Sequence, residues 1–210
     1  MNGRLILALA LASCCPPQAA KPTTTTEQKP VEPARNLALP DEVHLSNLRQ
    51  LTFGGDNAEA YWSFSGDRLI FQTNHKPYKC DQIEIMQATG SPPASGLVST
   101  GKGRTTCAYF LKGDKEIIYA STHLGGDACP PKPDHSQGYV WALHDSYDIF
   151  RANADGSNLR QLTTTPGYDA EATVCKKDGS IVFTSVRDGD IDLYRMDADG
   201  KNVRLSLIHI

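Results

Sequence analysis

After Pro40 the apolar residues come in short runs bounded by Gly, Asp, Asn and Ser, among them Leu69-Ile70-Phe71, Ile117-Ile118-Tyr119 and Ile181-Val182-Phe183. Runs of about five residues, rich in β-branched and aromatic types, are too brief for helices and fit strands. No stretch after Pro40 shows the spacing of an amphipathic helix. Asp178-Gly179 precedes one run and Gly113-Asp114 another, and such pairs supply the positive-φ residues that two-residue hairpins need. The pattern predicts strand, tight turn, strand throughout, in an all-β chain.

The strands recur. Residues 148–160 read DIFRANADGSNLR and residues 192–204 read DLYRMDADGKNVR, with Asp155/Asp199, Gly156/Gly200, Asn158/Asn202 and Arg160/Arg204 in register. Residues 55–71 align with 167–183, placing Glu59 on Glu171 and Phe71 on Phe183, and 104–119 is a weaker third copy. NLRQLT at 47–52 returns unchanged at 158–163. A period in the forties made of short strands indicates a radial or stacked array of four-stranded sheets. Three partial units are visible, at 48–90, 97–157 and 159–204.

These pieces resemble the blades of TolB-like β-propellers, whose repeat runs serine-proline-aspartate-glycine, apolar strand, aspartate-glycine, apolar strand, leucine-threonine. The matching pieces are Lys177-Asp178-Gly179, Ile181–Ser185, Asp188-Gly189, Asp192–Met196, residues 197–200 and Arg160-Gln161-Leu162-Thr163, and the likeness covers about 43–204. It departs where Cys175-Lys176-Lys177 and Ser63-Phe64-Ser65 stand in place of serine-proline. The resemblance implies a β-propeller of four-stranded antiparallel blades, about three of them, from a ring of about six to eight. It also implies a periplasmic protein that docks other envelope proteins.

Three units do not close a ring, and an open end leaves unpaired edges. After Arg204 the repeat requires a step like Gln161-Leu162-Thr163, but the chain reads Leu205-Ser206-Leu207-Ile208-His209-Ile210. Those residues are also what the sequencing-adapter sequence CTGTCTCTTATACACATC encodes in frame. Residues 205–210 are expected to be a non-native tail on a truncated reading of a longer protein, the alternative being a natural apolar tail.

At the other end, residues 1–13 carry Arg4 and an apolar run from Leu5 to Ala12, too short to span a bilayer and typical of a secretion signal. Leu11-Ala12-Ser13-Cys14 then resembles the bacterial lipobox, which implies lipidation of Cys14. Acyl chains contribute about 0.8 kcal/mol per buried methylene, so a multiply acylated cysteine anchors without a transmembrane helix. Residues 14–40, with Thr23 to Thr26 and six prolines, cannot bury enough apolar surface to fold. They read as a tether of about 30 Å mean reach, leaving 41–204 for the propeller.

Net charge is −3 and Lys and Arg are scattered, which gives no electrostatic case for nucleic acid or anionic lipid surfaces. The membrane is therefore expected as a partner only through the lipid anchor. Six cysteines suit an oxidising compartment. With Cys14 lipidated an odd number remains; Cys80, Cys107 and Cys129 are the disulfide candidates, and Cys175, beside Val174, reads as a small buried residue.

One unit breaks the rhythm. Residues 123–147 (HLGGDACPPKPDHSQGYVWALHDSY) stand where the others have a short connection, and long loops on rigid scaffolds are where binding usually lives. His123, Asp134, His135, Tyr139, Trp141 and His144 form a set suited to gripping a polar partner, and packing of the insertion alone is the alternative. A metal held by His123, Asp134, His135 and His144 is conceivable, but the spacings match no known ligand pattern. Glu59, Asp169 and Glu171 begin inner strands, where acids either face a central channel or bond neighbouring backbone.

No Gly-x-Ser-x-Gly elbow, His-Glu-x-x-His helix, phosphate loop or dinucleotide fingerprint occurs, and no cofactor is expected. The leading expectation is a lipid-anchored, non-catalytic envelope module that binds a protein or glycan through its loops. The alternative is the N-terminal propeller of a larger prolyl-oligopeptidase-like serine hydrolase.

Overall fold

Each short apolar run becomes a strand, and the strands pair in chain order. The computed structural model describes residues 37–89 and 94–207. The chain divides into units 1–49 and 50–210. In the first, residues 37–49 form local turns closed by Glu42 N–H to Leu39 O (3.1 Å) and Leu45 N–H to Glu42 O (3.3 Å). The signal at 1–13, Cys14, the tether as far as residue 36, and residues 208–210 lie outside the described residues.

The second unit holds three antiparallel four-stranded sheets. Blade 1 is β1 (Asn57–Trp62), β2 (Arg68–Thr73), β3 (Gln82–Gln87) and β4 (Ser95–Leu97). Blade 2 is β5 (Thr105–Phe110), β6 (Glu116–Ser121), β7 (Asp148–Asn153) and β8 (Arg160–Gln161). Blade 3 is β9 (Asp169–Val174), β10 (Ile181–Ser185), β11 (Asp192–Met196) and β12 (Arg204–Leu207). Among the described residues the only helix is one 3-10 turn, η1 (His123–Gly125), and none is long and apolar enough to cross a membrane.

The blades are out of phase with the repeats read from the sequence. NLRQLT at 158–163 looks like the start of a unit, yet Arg160-Gln161 is β8, the outer strand of blade 2, and the third blade begins only at β9. The repeated phrase marks the crossing between blades. Arg204–Leu207 pair with β11 as the outer strand of blade 3, so that strand includes residues 205–207, the start of the expected foreign tail. The hairpins after Phe110 and Val174 are also longer than the two residues expected. Leu111 N–H bonds Glu116 O and Cys175 N–H bonds Ser180 O, both at 2.8 Å, so each loop holds four residues. Asp155-Gly156 and Asp199-Gly200 sit in three-residue turns closed by Asn153 N–H to Ser157 O and Asp197 N–H to Lys201 O, with the glycines at φ 83 and 84°.

The core lies between blades. Alternation along β6 sends Ile117 and Tyr119 toward blade 1, against Ile70 and Ile83. It sends Ile118 toward blade 3, against Ile181, Phe183 and Tyr194. Each fully buried side chain of this size contributes about 1.5–3 kcal/mol, so the seams hold the sheets in order. A smaller patch, Leu69, Phe71 and Met86 with Leu51, covers the opposite face of blade 1.

Candidate functional site

The insertion at 123–147 joins β6 to β7 and is fixed by a covalent bond. Cys80, in the β2–β3 connection of blade 1, is disulfide-bonded to Cys129 with Cα atoms 5.8 Å apart. Gly103 N–H donates to Asp127 O at 3.1 Å, and Lys102 Nζ lies 3.0 Å from Asp127 Oδ2. Cys107, grouped with these cysteines as a disulfide candidate, is a free thiol. It lies on β5, and burial first, then the neighbouring Glu59 carboxylate, pushes it well above the ordinary thiol range. Cys175 falls just past β9 and is half-buried rather than buried.

The fixed insertion roofs a cleft of about 360 Å³ between blades. His135, Tyr139, Trp141 and His144 line it from above, and Asp56, Asn74, Asp81 and Arg104 from the blades. Tyr139 and Trp141 are exposed, at 77% and 58%, while Tyr147 and Tyr168 form a buried floor with rings 5.6 Å apart, edge to face. Burial raises the Tyr168 phenol, against a hydrogen bond with Trp141 that lowers it. Arg104 Nε lies 3.5 Å from Asp81 Oδ2, but neither Arg104 Nε nor His144 Nε2 has a hydrogen-bond partner, although both atoms are buried. Aromatic faces beside the Arg104–Asp81 ion pair and the unpaired His144 nitrogen suit a partly apolar, partly polar ligand.

The expected insertion residues separate into two groups. His123 turns away from the cleft: its ring packs 4.4 Å from Phe150 and its Nδ1 bonds Ser121 Oγ at 2.9 Å. Asp134 is spent on Ser136, accepting from its N–H at 2.8 Å and its hydroxyl at 2.9 Å. Among the described residues no cluster of His, Cys, Asp and Glu is arranged to hold a metal ion. Asp56, Asp81 and Arg104 were missed because they lie far from the insertion in sequence; the one available signal was Cys80, beside Asp81.

Glu59, Cys107 and Glu171 are structural equivalents. Each sits at a β-bulge in the first strand of its blade, with φ of 49, 48 and 56°. A bulge places one extra residue on its strand and re-aims that side chain. Here it brings both carboxylates within electrostatic reach of the Cys107 thiol. Glu171 accepts from Tyr168 OH at 3.3 Å and Thr184 Oγ1 at 3.1 Å, whereas Glu59 Oε2 has no partner. Asp169 is different: it is 1% exposed and both its oxygens lie 3.1 Å from Arg187 Nη2, which makes it a structural ion pair.

The fold is similar to that of a solved structure, a TolB candidate from Agrobacterium tumefaciens, at TM-score 0.54 and 19% identity, over 71% of this chain and 49% of that one. The fold is that of a TolB-like β-propeller. Hydrazine synthase from Kuenenia stuttgartiensis also aligns, at TM-score 0.51 and 14% identity, over 71% of this chain and 25% of that one. TolB from Acinetobacter baumannii aligns at TM-score 0.48 and 14% identity, over 72% of this chain and 32% of that one. No protein-family model and no curated protein matches the chain. The TolB-like array spans about half the length of the Agrobacterium protein. Its fold alone decides no activity, since propellers host many functions.

Proposed function

We propose that this chain is a cell-envelope binding propeller, tethered to a membrane by lipid on Cys14 and non-catalytic, which takes a protein loop or glycan under the insertion of blade 2. The observation that supports this most is the cleft itself: Tyr139 and Trp141 stand exposed over it, and the Cys80–Cys129 bond pins its roof. A pre-fixed loop loses little conformational freedom on binding, which favours affinity. Sugar rings and peptide side chains both offer apolar faces to aromatic rings and polar edges to the Arg104 and His144 nitrogens.

The test is a titration of the intact chain with a panel of envelope glycans and envelope-protein peptides, followed by Trp141 fluorescence. At least one ligand is expected to give a saturable change that Tyr139→Ala and His144→Ala weaken. Saturable binding that both variants leave untouched would move the site elsewhere; a silent panel would sink the protein-or-glycan reading. The anchor is tested separately: Cys14→Ser is expected to move the protein from the membrane fraction to the soluble fraction, and unchanged fractionation refutes lipidation.

A further inference from the structure

Two faces of the array have no sheet against them. Blade 2 shares one seam with blade 1 and another with blade 3, and the described residues form no fourth sheet. The face of blade 1 turned away from blade 2 is built as a seam. Its pair Leu69–Met86 stands where Ile117–Ala152 stands in blade 2 and Ile181–Met196 in blade 3, the pairs those blades turn toward the preceding one. Ala60 follows the bulge residue of β1 as Ala108 and Ala172 follow those of β5 and β9. Ala108 and Ala172 are buried in seams, whereas Ala60 is exposed and lines a groove of about 310 Å³ with Leu51, Leu69, Phe71 and Met86. Leu51 lies on this face as Leu162, its counterpart in the repeated phrase, lies in the seam of blades 2 and 3. Glu84, opposite Phe71, is spent within its own blade on Tyr78 and His75.

The face of blade 3 turned away from blade 2 is built as the other half of a seam. Ile149 and Tyr147 of blade 2 pack toward blade 3 and are 0% and 5% exposed. By register their counterparts in blade 3 are Leu193 and Ile191, which are 38% and 44% exposed. Exposed apolar side chains at positions the repeat elsewhere buries mark an unfilled interface. Arg195 stands where Arg151 stands, and each is held by a carboxylate of its own blade, Asp178 and Glu116. Arg151 also crosses its seam to Ala198 O, at 2.6 Å.

Each open face is therefore shaped for the other kind, and the two lie at opposite ends of the array, so they can meet only between copies. Rings of this fold hold about four to eight blades, and six is the only multiple of three in that range. We propose that two copies of this chain close a six-bladed ring, the open face of blade 3 in each packing on the open face of blade 1 in the other. Leu193 and Ile191 of one copy then cover the groove beside Ala60 and Phe71 of its partner, and Arg195 crosses as Arg151 does. The contact is head to tail, and it closes because each array supplies half of the circle. Closure also completes the channel, since Glu59, Cys107 and Glu171 on the first strands recur on opposite sides of the axis.

The experiment measures the mass of the intact chain in solution by light scattering, at about 50 µM, where an interface of standard size is filled. The expected mass is that of two chains. Ala60→Arg and Leu193→Arg each put an unpaired charge into both seams of the ring, and each is expected to weaken association about a hundredfold or more, leaving single chains. Both residues are exposed in the single chain, so the circular dichroism spectrum should not change. A wild-type chain of single mass overturns the proposal, whether its faces are then bare or filled by further blades of a longer polypeptide. A dimer that survives either substitution overturns it too, because a contact between like faces needs only one of the two positions. A mass above two chains would mean open head-to-tail stacking and would also overturn it. The wild-type mass needs no variant, so it decides the matter even if a substituted chain does not fold.

Discussion

Removing the Cys80–Cys129 bond should destabilise the protein by about 4 kcal/mol. The bond spans 49 residues of sequence, and closing a loop of that length removes about 14 cal/mol/K of entropy from the unfolded chain, or about 4 kcal/mol at 25 °C. In a domain of this size each kcal/mol moves the melting midpoint by about 2–4 °C, so the fall should be about 8–16 °C. The clean perturbation is Cys80→Ala with Cys129→Ala, because both changes remove little packing volume. The assay is urea unfolding of wild type and the double variant, read by circular dichroism. Cys107→Ala, at a thiol that bonds to no other cysteine, serves as the control. A loss below about 1 kcal/mol would refute the reasoning, showing that noncovalent contacts already hold blade 1 to the insertion in the unfolded ensemble or that the two sulfurs are not joined.

Three further outcomes follow from the seams and the cleft. Phe183→Ala empties a fully buried site between blades 2 and 3 and should cost about 3–5 kcal/mol in the same unfolding assay. Trp141→Ala, at an exposed position, should change stability by less than about 0.5 kcal/mol while weakening any ligand found in the cleft, read by calorimetry because only Trp62, outside the cleft lining, then remains to fluoresce. Burial, with the Lys102 charge adding to it, holds His123 below the ordinary imidazole value, so folding favours its neutral form. That contribution is present above about pH 6.5 and fades as pH falls through the lower folded value. His123→Gln should therefore flatten the decline in urea midpoint between about pH 7.5 and 5, and an unchanged slope would remove His123 from the account.

Strand positions were legible because a blade strand packs into a seam on each face, so runs such as Ile117-Ile118-Tyr119 are apolar and buried throughout, and β-branched residues record that demand directly. Blade boundaries were not, because NLRQLT at 158–163 belongs partly to β8 and partly to the crossing toward β9; a repeat can be cut at any phase without changing its period. The roof of the cleft was legible as an interruption of rhythm. Its floor and walls were not, since Arg104 and Tyr168 reach it only through the stacking of blades, which no local pattern encodes. Asp169 misled for a related reason: a carboxylate at the head of an inner strand looks available until Arg187, from another strand's end, is seen to hold it.

The three bulges set an unusual rule for substitution. Glu59, Cys107 and Glu171 keep a left-handed backbone that glycine adopts freely and other residues hold at a cost of about 1 kcal/mol or more. At most positions a change to glycine loosens a protein; at these three it should relieve strain. Selection for heat resistance alone would therefore push them toward glycine first, erasing the acids at the bulges while leaving the blades intact. Glycine at 171 would also give up the bonds from Tyr168 and Thr184, so Glu59 is the position where the relief should be cleanest.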